Sequence, residues 1–181
     1  MNTLTPTPST LVRKPDTVLK QVFGYSEFRD GQKAVIDAAI NGQDSLVLLP
    51  TGGGKSVCYQ VPALVLEGVT VVISPLISLM QDQVTQLQAL GVKAAYINNS
   101  LAREEQQLVY QQLHQGLIKL LYVAPEKVLQ HEFTERLSHL NISLFTDSRV
   151  PDHERHVHPQ QHGVGDDEGN DHSVVLRVRG L

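Results

Sequence analysis

The sequence has very little cysteine and no excess of basic charge. Its single cysteine, Cys58, excludes an internal disulfide and favours a reducing compartment. Because Cys58 lies on a predicted helix just after a glycine loop, we expect a small buried thiol and not a reactive one. Fifteen Lys and Arg residues stand against nineteen Asp and Glu. Any contact with nucleic acid must therefore come from a local groove and not from a basic surface.

Long apolar runs are also missing. No stretch is long enough to span a bilayer, and the first 14 residues, rich in Thr and Pro, lack the apolar segment of a signal peptide. We therefore expect a cytoplasmic protein that makes no membrane contact. In a bacterium it would lie in the cytosol or the nucleoid. Residues 1–14 are expected to be a disordered lead-in. The length suits one domain with a real hydrophobic core.

Strand-like and helix-like segments alternate along residues 15–145. Apolar runs predict strands at 45–49, 69–73, 94–97, 118–123 and 142–145. Helical spacing predicts helices at 15–24, 35–40, 59–66, 76–90, 102–115 and 127–140. Pro62 is expected to kink the third helix or to start a separate turn. This order predicts an open parallel α/β sheet with helices on both faces.

A glycine-rich loop joins the first predicted strand to the helix after it. The loop consists of Thr51, Gly52, Gly53, Gly54, Lys55 and Ser56. Consecutive glycines let backbone N–H groups approach phosphate oxygens, and the helix start adds the positive end of its dipole. Lys55 supplies a charge for the outer phosphates and Ser56 a hydroxyl ligand for Mg²⁺, which predicts a nucleoside-triphosphate site. The alternative is a glycine turn whose lysine and serine are accidental surface residues.

Two other segments carry side chains suited to ligands. Upstream of the loop, Tyr25 can stack on a base, and the amide of Gln32 can pair with N6 and N7 of adenine. Taken singly, Tyr25, Arg29 and Gln32 are better explained as packing or solvated surface than as ligand contacts. Downstream, the segment 74–83 follows a strand end, where its hydroxyls and helix-start amides can hold nucleic-acid phosphates. The alternative there is helix capping by Ser74, with Leu76, Leu79 and Met80 as core.

In combination, these segments closely resemble the RecQ family of superfamily 2 DNA helicases. The resemblance covers about residues 16–145 and rests on Phe-Gly-Tyr-x-x-Phe-Arg-x-Gly-Gln, Leu-Pro-Thr-Gly-Gly-Gly-Lys-Ser, Ser-Pro-Leu-Ile-Ser-Leu-Met and Leu-Tyr-x-Ala-Pro-Glu-Lys. It implies a RecA-like P-loop motor domain, ATP and Mg²⁺ as cofactors, and 3′-to-5′ unwinding of DNA with single-stranded or partly duplex DNA as partner.

The resemblance also assigns roles to individual residues. By motif position, Tyr25, Arg29 and Gln32 match the adenine-recognition element, and Gly52 to Ser56 match the phosphate loop, with Lys55 as the catalytic charge. The residues that match the DNA-groove segment are Ser74, Pro75, Ser78, Asp82 and Gln83.

The resemblance fails after the strand at 142–145. The family places Asp-Glu-Ala-His there, in which the Asp orients Mg²⁺ through water and the Glu activates the attacking water. This chain has Asp147-Ser148-Arg149-Val150. Asp147 can keep the metal role, but Ser148 cannot act as a carboxylate base, and the sequence shows no substitute for that base.

The regular alternation of predicted strands and helices ends after residue 145. We expect residues 15–145 to form a partial, incomplete RecA-like domain and residues 146–181 to be mostly disordered, with Ser173–Val178 as the one possible strand. A metal site from Asp152, His153, His156, His158 and His162 is less favoured than a solvated His-rich run. The leading interpretation is a RecQ-type helicase fragment that keeps its ATP motifs and part of a DNA groove but neither hydrolyses ATP nor unwinds DNA alone. The alternatives are a non-catalytic nucleotide- or DNA-binding remnant and an inactive gene fragment.

Overall fold

The computed structural model describes residues 13–49, 52–148 and, for the backbone, 173–178. The helices in this part of the chain are α1 (Pro15–Val22), α2 (Gln32–Ile40), α3 (Lys55–Val65), α4 (Ile77–Ala89), α5 (Arg103–His114), α6 (Pro125–Val128) and α7 (His131–Ser138). The strands are β1 (Ser45–Leu48), β2 (Val69–Ile73), β3 (Ala94–Ile97), β4 (Leu120–Val123), β5 (Ile142–Asp147) and β6 (Ser173–Val178).

The strands form one sheet of six in the order β1-β6-β5-β2-β4-β3. The pairs β2 with β4, β2 with β5 and β3 with β4 are all parallel. β6 is antiparallel to both of its neighbours, β1 and β5. The predicted parallel α/β fold is confirmed, and β6 is its one antiparallel member among the described strands.

Two hydrophobic cores lie on opposite faces of this sheet. Successive strand residues point to opposite faces, and β4 shows the division, since Leu120 and Tyr122 belong to one core and Leu121 and Val123 to the other. The first core collects buried residues of α1, α2, α3 and α4. The second collects residues of α5 and α7. All four residues of β4 are buried, as a parallel strand covered on both faces should be.

Two predicted helices differ from those observed. α3 begins at Lys55 and continues through Pro62 to Val65, whereas a kink or a separate turn was predicted at that proline. Residues 57–64 of α3 are all buried, so packing on both sides of Pro62 keeps the helix continuous despite the missing N–H. The helix predicted at 127–140 is two helices, α6 and α7, separated at Leu129, which is 86% exposed.

The buried cysteine and the last two strands can be compared with the sequence predictions. Cys58 is fully buried, as predicted, and burial raises the pKa of its thiol to about 11. β5 runs two residues beyond the predicted end, through Asp147, and the possible strand at Ser173–Val178 is present as β6. No helix in the described residues is long and apolar enough to cross a membrane. The histidine-rich run and residues 1–12 lie outside the described residues.

Candidate nucleotide site and nucleic-acid interface

The phosphate loop leaves the carboxyl end of β1 and enters the first turn of α3. Gly52 and Gly54 have φ angles of 79° and 76°, which side chains with a Cβ adopt only at a cost. Gly54 is the residue just before α3, and no side chain caps the helix start. The first N–H groups of α3 therefore keep the arrangement that suits an anion. Thr51, the first residue of the predicted loop, lies outside the described residues.

Gln32 holds the loop from the side of α2. Its Nε2 donates to the carbonyl of Gly54 at 3.0 Å and lies 3.4 Å from the carbonyl of Gly53. A Cβ built on Gly54 would lie 2.4 Å from the same Nε2 atom. Gln32 is only 3% exposed, which contradicts the alternative of a solvated surface residue. A glycine at position 54 is thus required both for its φ angle and for the approach of this amide.

Arg29 completes the same contact surface. Its Nη1 donates to the carbonyl of Gly52 at 2.6 Å, and its backbone N–H donates to Oε1 of Gln32 at 2.8 Å. The Gln32 amide is therefore fixed at both ends, by Arg29 on one side and by the loop on the other. Because the N–H and C=O of a trans peptide point in opposite directions, binding the Gly52 and Gly54 carbonyls turns the N–H groups of Gly53 and Lys55 away from these side chains.

Lys55 and Ser56 occupy the first turn of α3. The Nζ of Lys55 donates to the carbonyl of Leu49, so the lysine bends back along the loop to the end of β1. Ser56 is half-buried and faces a small cleft. In nucleoside-triphosphate sites of this kind the lysine contacts the outer phosphates and the hydroxyl binds Mg²⁺.

The cleft brings the predicted nucleotide residues together. It has a volume of about 160 Å³ and is lined by Tyr25, Glu27, Arg29, Gln32, Gly52, Gly54, Ser56 and Val57. Six of these were predicted from the sequence, although they come from segments more than twenty residues apart. Glu27 and Val57 were missed, and the only signal for them is their position beside Tyr25 and Ser56. Tyr25 is 53% exposed at the rim of the cleft, where it can stack on a base.

The chain matches the DEAD/DEAH box helicase family over residues 29–146. This chain belongs to the DEAD/DEAH box helicase family. It is 54% identical to the ATP-dependent DNA helicase RecQ of Haemophilus influenzae over 139 residues, which are 76% of this chain and 22% of that protein. It is 57% identical to the RecQ helicase of Pasteurella multocida over 127 residues, 70% of this chain and 20% of that protein.

A less similar RecQ protein matches this chain over a stretch of about the same length. The RecQ helicase of Bacillus subtilis is 42% identical over 138 residues, 74% of this chain and 23% of that protein. The chain thus spans about a fifth of the length of these relatives. The resemblance to RecQ helicases derived from the motifs is confirmed.

The second segment of this helicase chain, at 74–83, lies at the carboxyl edge of the sheet. α4 begins at Ile77, its capping position is Leu76, and no side chain caps it. Leu76 and Leu79 are 57% and 44% exposed, whereas Met80 is buried. The alternative of a Ser74 cap with Leu76 and Leu79 in the core is therefore wrong, and only Met80 packs as that alternative predicted.

Ser74 and its neighbours present an unusual combination of groups. Ser74 is 3% exposed, and its hydroxyl lacks a hydrogen-bond partner among the described residues. Pro75, Ser78 and Asp82 are exposed on the surface that follows. Buried hydroxyls are normally paired. An orphan hydroxyl beside an uncapped helix start is compatible with a phosphate ligand and is not explained by the packing of this helix.

Gln83 is joined to the nucleotide helix by a buried polar network. Nε2 of Gln60, on α3, donates to Oε1 of Gln83 at 2.9 Å and to the hydroxyl of Tyr122 at 3.3 Å. The Tyr59 and Tyr122 hydroxyls are 3.4 Å apart, and burial raises the pKa of both. This network could not be predicted from the sequence, since its members come from α3, α4 and β4. It fixes the candidate DNA segment against the helix that carries Lys55 and Ser56.

Asp147 and Ser148 stand where the helicase family has the first two residues of its Asp-Glu-Ala-His motif. Asp147 is the last residue of β5 and is half-buried. Both the backbone N–H and the hydroxyl of Ser148 donate to the carbonyl of Ile73, at 3.1 and 3.0 Å. Ser148 thus serves to attach the end of β5 to the end of β2. No cluster of metal-binding side chains was found in the described residues, so a Mg²⁺ site here would need phosphate and water ligands as well as Ser56 and Asp147.

The close contact at Gly54 predicts a specific pattern of stabilities. Gly54→Ala and Gly91→Ala place alanine at the same φ of 76°, but a Cβ at Gly91 meets nothing within 4 Å. In both variants the strained left-handed backbone should lower the free energy of unfolding by about 1–2 kcal/mol. In Gly54→Ala it should fall by about 1 kcal/mol more for each hydrogen bond that Gln32 loses. Urea unfolding of both variants measures the difference.

A second comparison separates the clash from other effects of Gly54→Ala. In a Gln32→Ala background the side chain that meets the new Cβ is absent, so the added cost of Gly54→Ala should fall to that of Gly91→Ala. Equal destabilisation by Gly54→Ala in both backgrounds would contradict the contact.

Proposed function

We propose that this chain binds ATP with Mg²⁺ at the phosphate loop and a DNA strand along the segment 74–83, as part of a RecA-like helicase motor. The observation that carries the proposal is the cleft of about 160 Å³ that joins Tyr25, Arg29 and Gln32 to the loop glycines and Ser56. A base-stacking ring, an adenine-selective amide and a phosphate cradle converge there. Support for ATP as the ligand also comes from the relatives, which are named ATP-dependent DNA helicases.

The bound state requires a rearrangement of two side chains. Lys55 has to leave the carbonyl of Leu49 to reach the outer phosphates. Gln32 has to turn from the Gly53 and Gly54 carbonyls to pair with adenine. Each exchanges a protein acceptor for a ligand atom, so the free-energy cost of the movement is partly offset by the new bonds. Mg²⁺ would be held by Ser56 with Asp147 acting through water, and it would neutralise charge on the phosphates.

For DNA, the proposal rests on the edge of the sheet. Ser74, Pro75, Ser78, Asp82 and Gln83 follow β2 at the carboxyl ends of parallel strands, where open α/β sheets bind ligands. The net charge of −4 supplies no general attraction for DNA. Contacts from backbone amides and hydroxyls therefore have to position the strand. The network of Gln60 and Gln83 places this surface in direct contact with the nucleotide helix.

Replacing Lys55 tests the nucleotide site. Lys55→Ala should weaken Mg²⁺-ATP binding about tenfold or more, because a charge-assisted hydrogen bond to the outer phosphates is lost. Titration with a fluorescent ATP analogue measures the affinity. Lys33→Ala is the matched control, since it removes an exposed lysine whose ion pair with Asp37 lies on the surface of α2. Equal affinities for wild type and Lys55→Ala would sink the assignment.

Gln32 is proposed to select adenine. O6 of guanine would face the Gln oxygen, so GTP should lose a bidentate pair worth about 1–3 kcal/mol. Gln32→Ala should weaken the binding of both nucleotides, because the loop loses its support. The ratio of the ATP affinity to the GTP affinity should fall towards one. Competition of ATP and GTP against the same analogue gives this ratio. An unchanged ratio would show that the base is read by other residues.

These 181 residues by themselves are proposed not to hydrolyse ATP at a useful rate and not to unwind DNA. The reason is Ser148, whose hydroxyl donates to the Ile73 carbonyl and carries no carboxylate. A positioned base contributes roughly 10²–10⁴-fold to rate, and unwinding in this family is performed by two motor domains. Phosphate release with single-stranded DNA and Mg²⁺-ATP should match a Lys55→Ala control. DNA-stimulated release that vanishes in this control would refute the proposal.

A further inference from the structure

β1 carries the phosphate loop but lies at the edge of the sheet. Among the strands that the structure describes, β1 pairs with β6 alone, through four residue pairs from Ser45 with Leu176 to Leu48 with Ser173. On its other side β6 pairs with β5, and β5 pairs with β2. The hydrogen-bond ladder that connects the phosphate loop to the rest of the sheet therefore passes through β6.

Packing fixes β1 on one face only. Val47 is 3% exposed and belongs to the core with α2 and α3, whereas Leu46 and Leu48 on the opposite face are 47% and 55% exposed. Side-chain burial thus holds β1 towards α2 but does not set its height along the sheet. The ladder to β6 supplies what burial does not, the hydrogen bonds that hold β1 in the plane of the sheet at a fixed distance from β5.

β6 also sets the geometry between the two sides of the candidate site. Val175 pairs with Leu46 on β1 and with Asp147 on β5, and Leu176 pairs with Ser45 and Thr146. Each strand spacing is about 4.8 Å, so β6 separates β1 from β5 by about 10 Å. This spacing and register decide where the loop after Leu48 stands relative to Asp147, the candidate Mg²⁺ residue.

We propose that the tail segment Ser173–Val178 is a positioning strand for the phosphate loop, so that nucleotide binding by this chain depends on its C-terminal residues. The inference rests on the proposed ATP site, but the docking of the strand can be measured without ATP. It assigns a role to a segment outside the stretch that matches the helicase family, residues 29–146. Without β6, β1 keeps its contact with α2 and α3 and loses its hydrogen-bonded partner.

The first experiment uses Val175→Pro in the full chain. Proline removes a backbone N–H from the middle of β6 and cannot be accommodated between two paired strands. Affinity for a fluorescent ATP analogue with Mg²⁺ should fall about tenfold or more, because the loop loses its register. Val164→Pro, the same change in the same tail but outside β6, is the control and should bind as wild type does. Wild-type affinity in Val175→Pro would overturn the inference.

Hydrogen exchange shows whether the defect is local. In Val175→Pro the amides of β1 should exchange faster, while those of β2 and β4 should stay protected, since their mutual ladder does not involve β6. If β1 amides stay as protected as in the wild type, β6 does not hold β1 and the inference fails. Addition of a synthetic peptide of residues 171–181 to the variant should restore both β1 protection and ATP affinity. A peptide without effect on either would also count against it.

A cross-link tests the docking in a chain that keeps its native strand. Opposed residues of an antiparallel pair have Cα atoms about 4.5–5.5 Å apart, within the range of a disulfide. Leu46→Cys with Val175→Cys should therefore oxidise readily, and Leu46→Cys with Val178→Cys, three residues out of register, should not. The disulfide forming at the second pair in preference to the first would overturn the assigned register. If the chain with Leu46→Cys and Val175→Cys forms the cross-link and the wild type has protected β1 amides but does not bind ATP, the docking of β6 stands and the proposed function fails.

Discussion

The parallel ladder of β2 determines where the candidate functional residues lie. β2 pairs in parallel with β4 and β5, so the strand ends at Ile73, Val123 and Asp147 meet at one edge of the sheet. Whatever follows these strands must share that edge, which is why Ser74 and Ser148 are neighbours although 74 residues separate them. The donation from Ser148 to Ile73 is a direct result of this register. This edge is where α/β sheets bind ligands, and here it carries both the segment 74–83 proposed to bind DNA and Ser148, at the position of the family's glutamate.

Donors on three side chains hold the phosphate loop through its carbonyl groups. Arg29, Gln32 and Lys55 donate to the carbonyls of Gly52, Gly54 and Leu49. An irregular loop of glycines has a large conformational entropy, and these bonds restrict it before any ligand binds. The same three side chains are the ones expected to contact adenine and phosphate. In the proposed complex these donors would exchange the loop carbonyls for ligand atoms, which limits the net affinity gained from each contact.

Most of the fold could be predicted because its signals are local. Apolar runs such as Val69–Ile73 and Ala94–Ile97 have the observed bounds, since a strand buried on both faces has few polar residues to obscure its ends. The structure of α3 could not be predicted from Pro62, because tertiary packing of residues 57–64 outweighs one missing hydrogen bond. Six of the eight residues that line the cleft were predicted, but the contacts between them were not. Nothing local indicates that Gln32 reaches the Gly54 carbonyl, or that Gln60 pairs with Gln83, since these pairings depend on how α2, α3 and α4 pack together.

Ser148, at the position of the family's glutamate, makes contacts of its own within the sheet. In this chain its hydroxyl and N–H both donate to one carbonyl, and these two bonds attach β5 to β2 just beyond their paired residues. A glutamate at position 148 has no side-chain proton to donate at neutral pH, so it could not replace the serine hydroxyl at Ile73. Its carboxylate would be repelled by the same carbonyl oxygen and would have to turn away from it. The backbone bond from residue 148 would remain, so β5 would keep its register while the side chain changed direction. The serine thus exchanges a group that could act on a ligand for one that binds its own sheet.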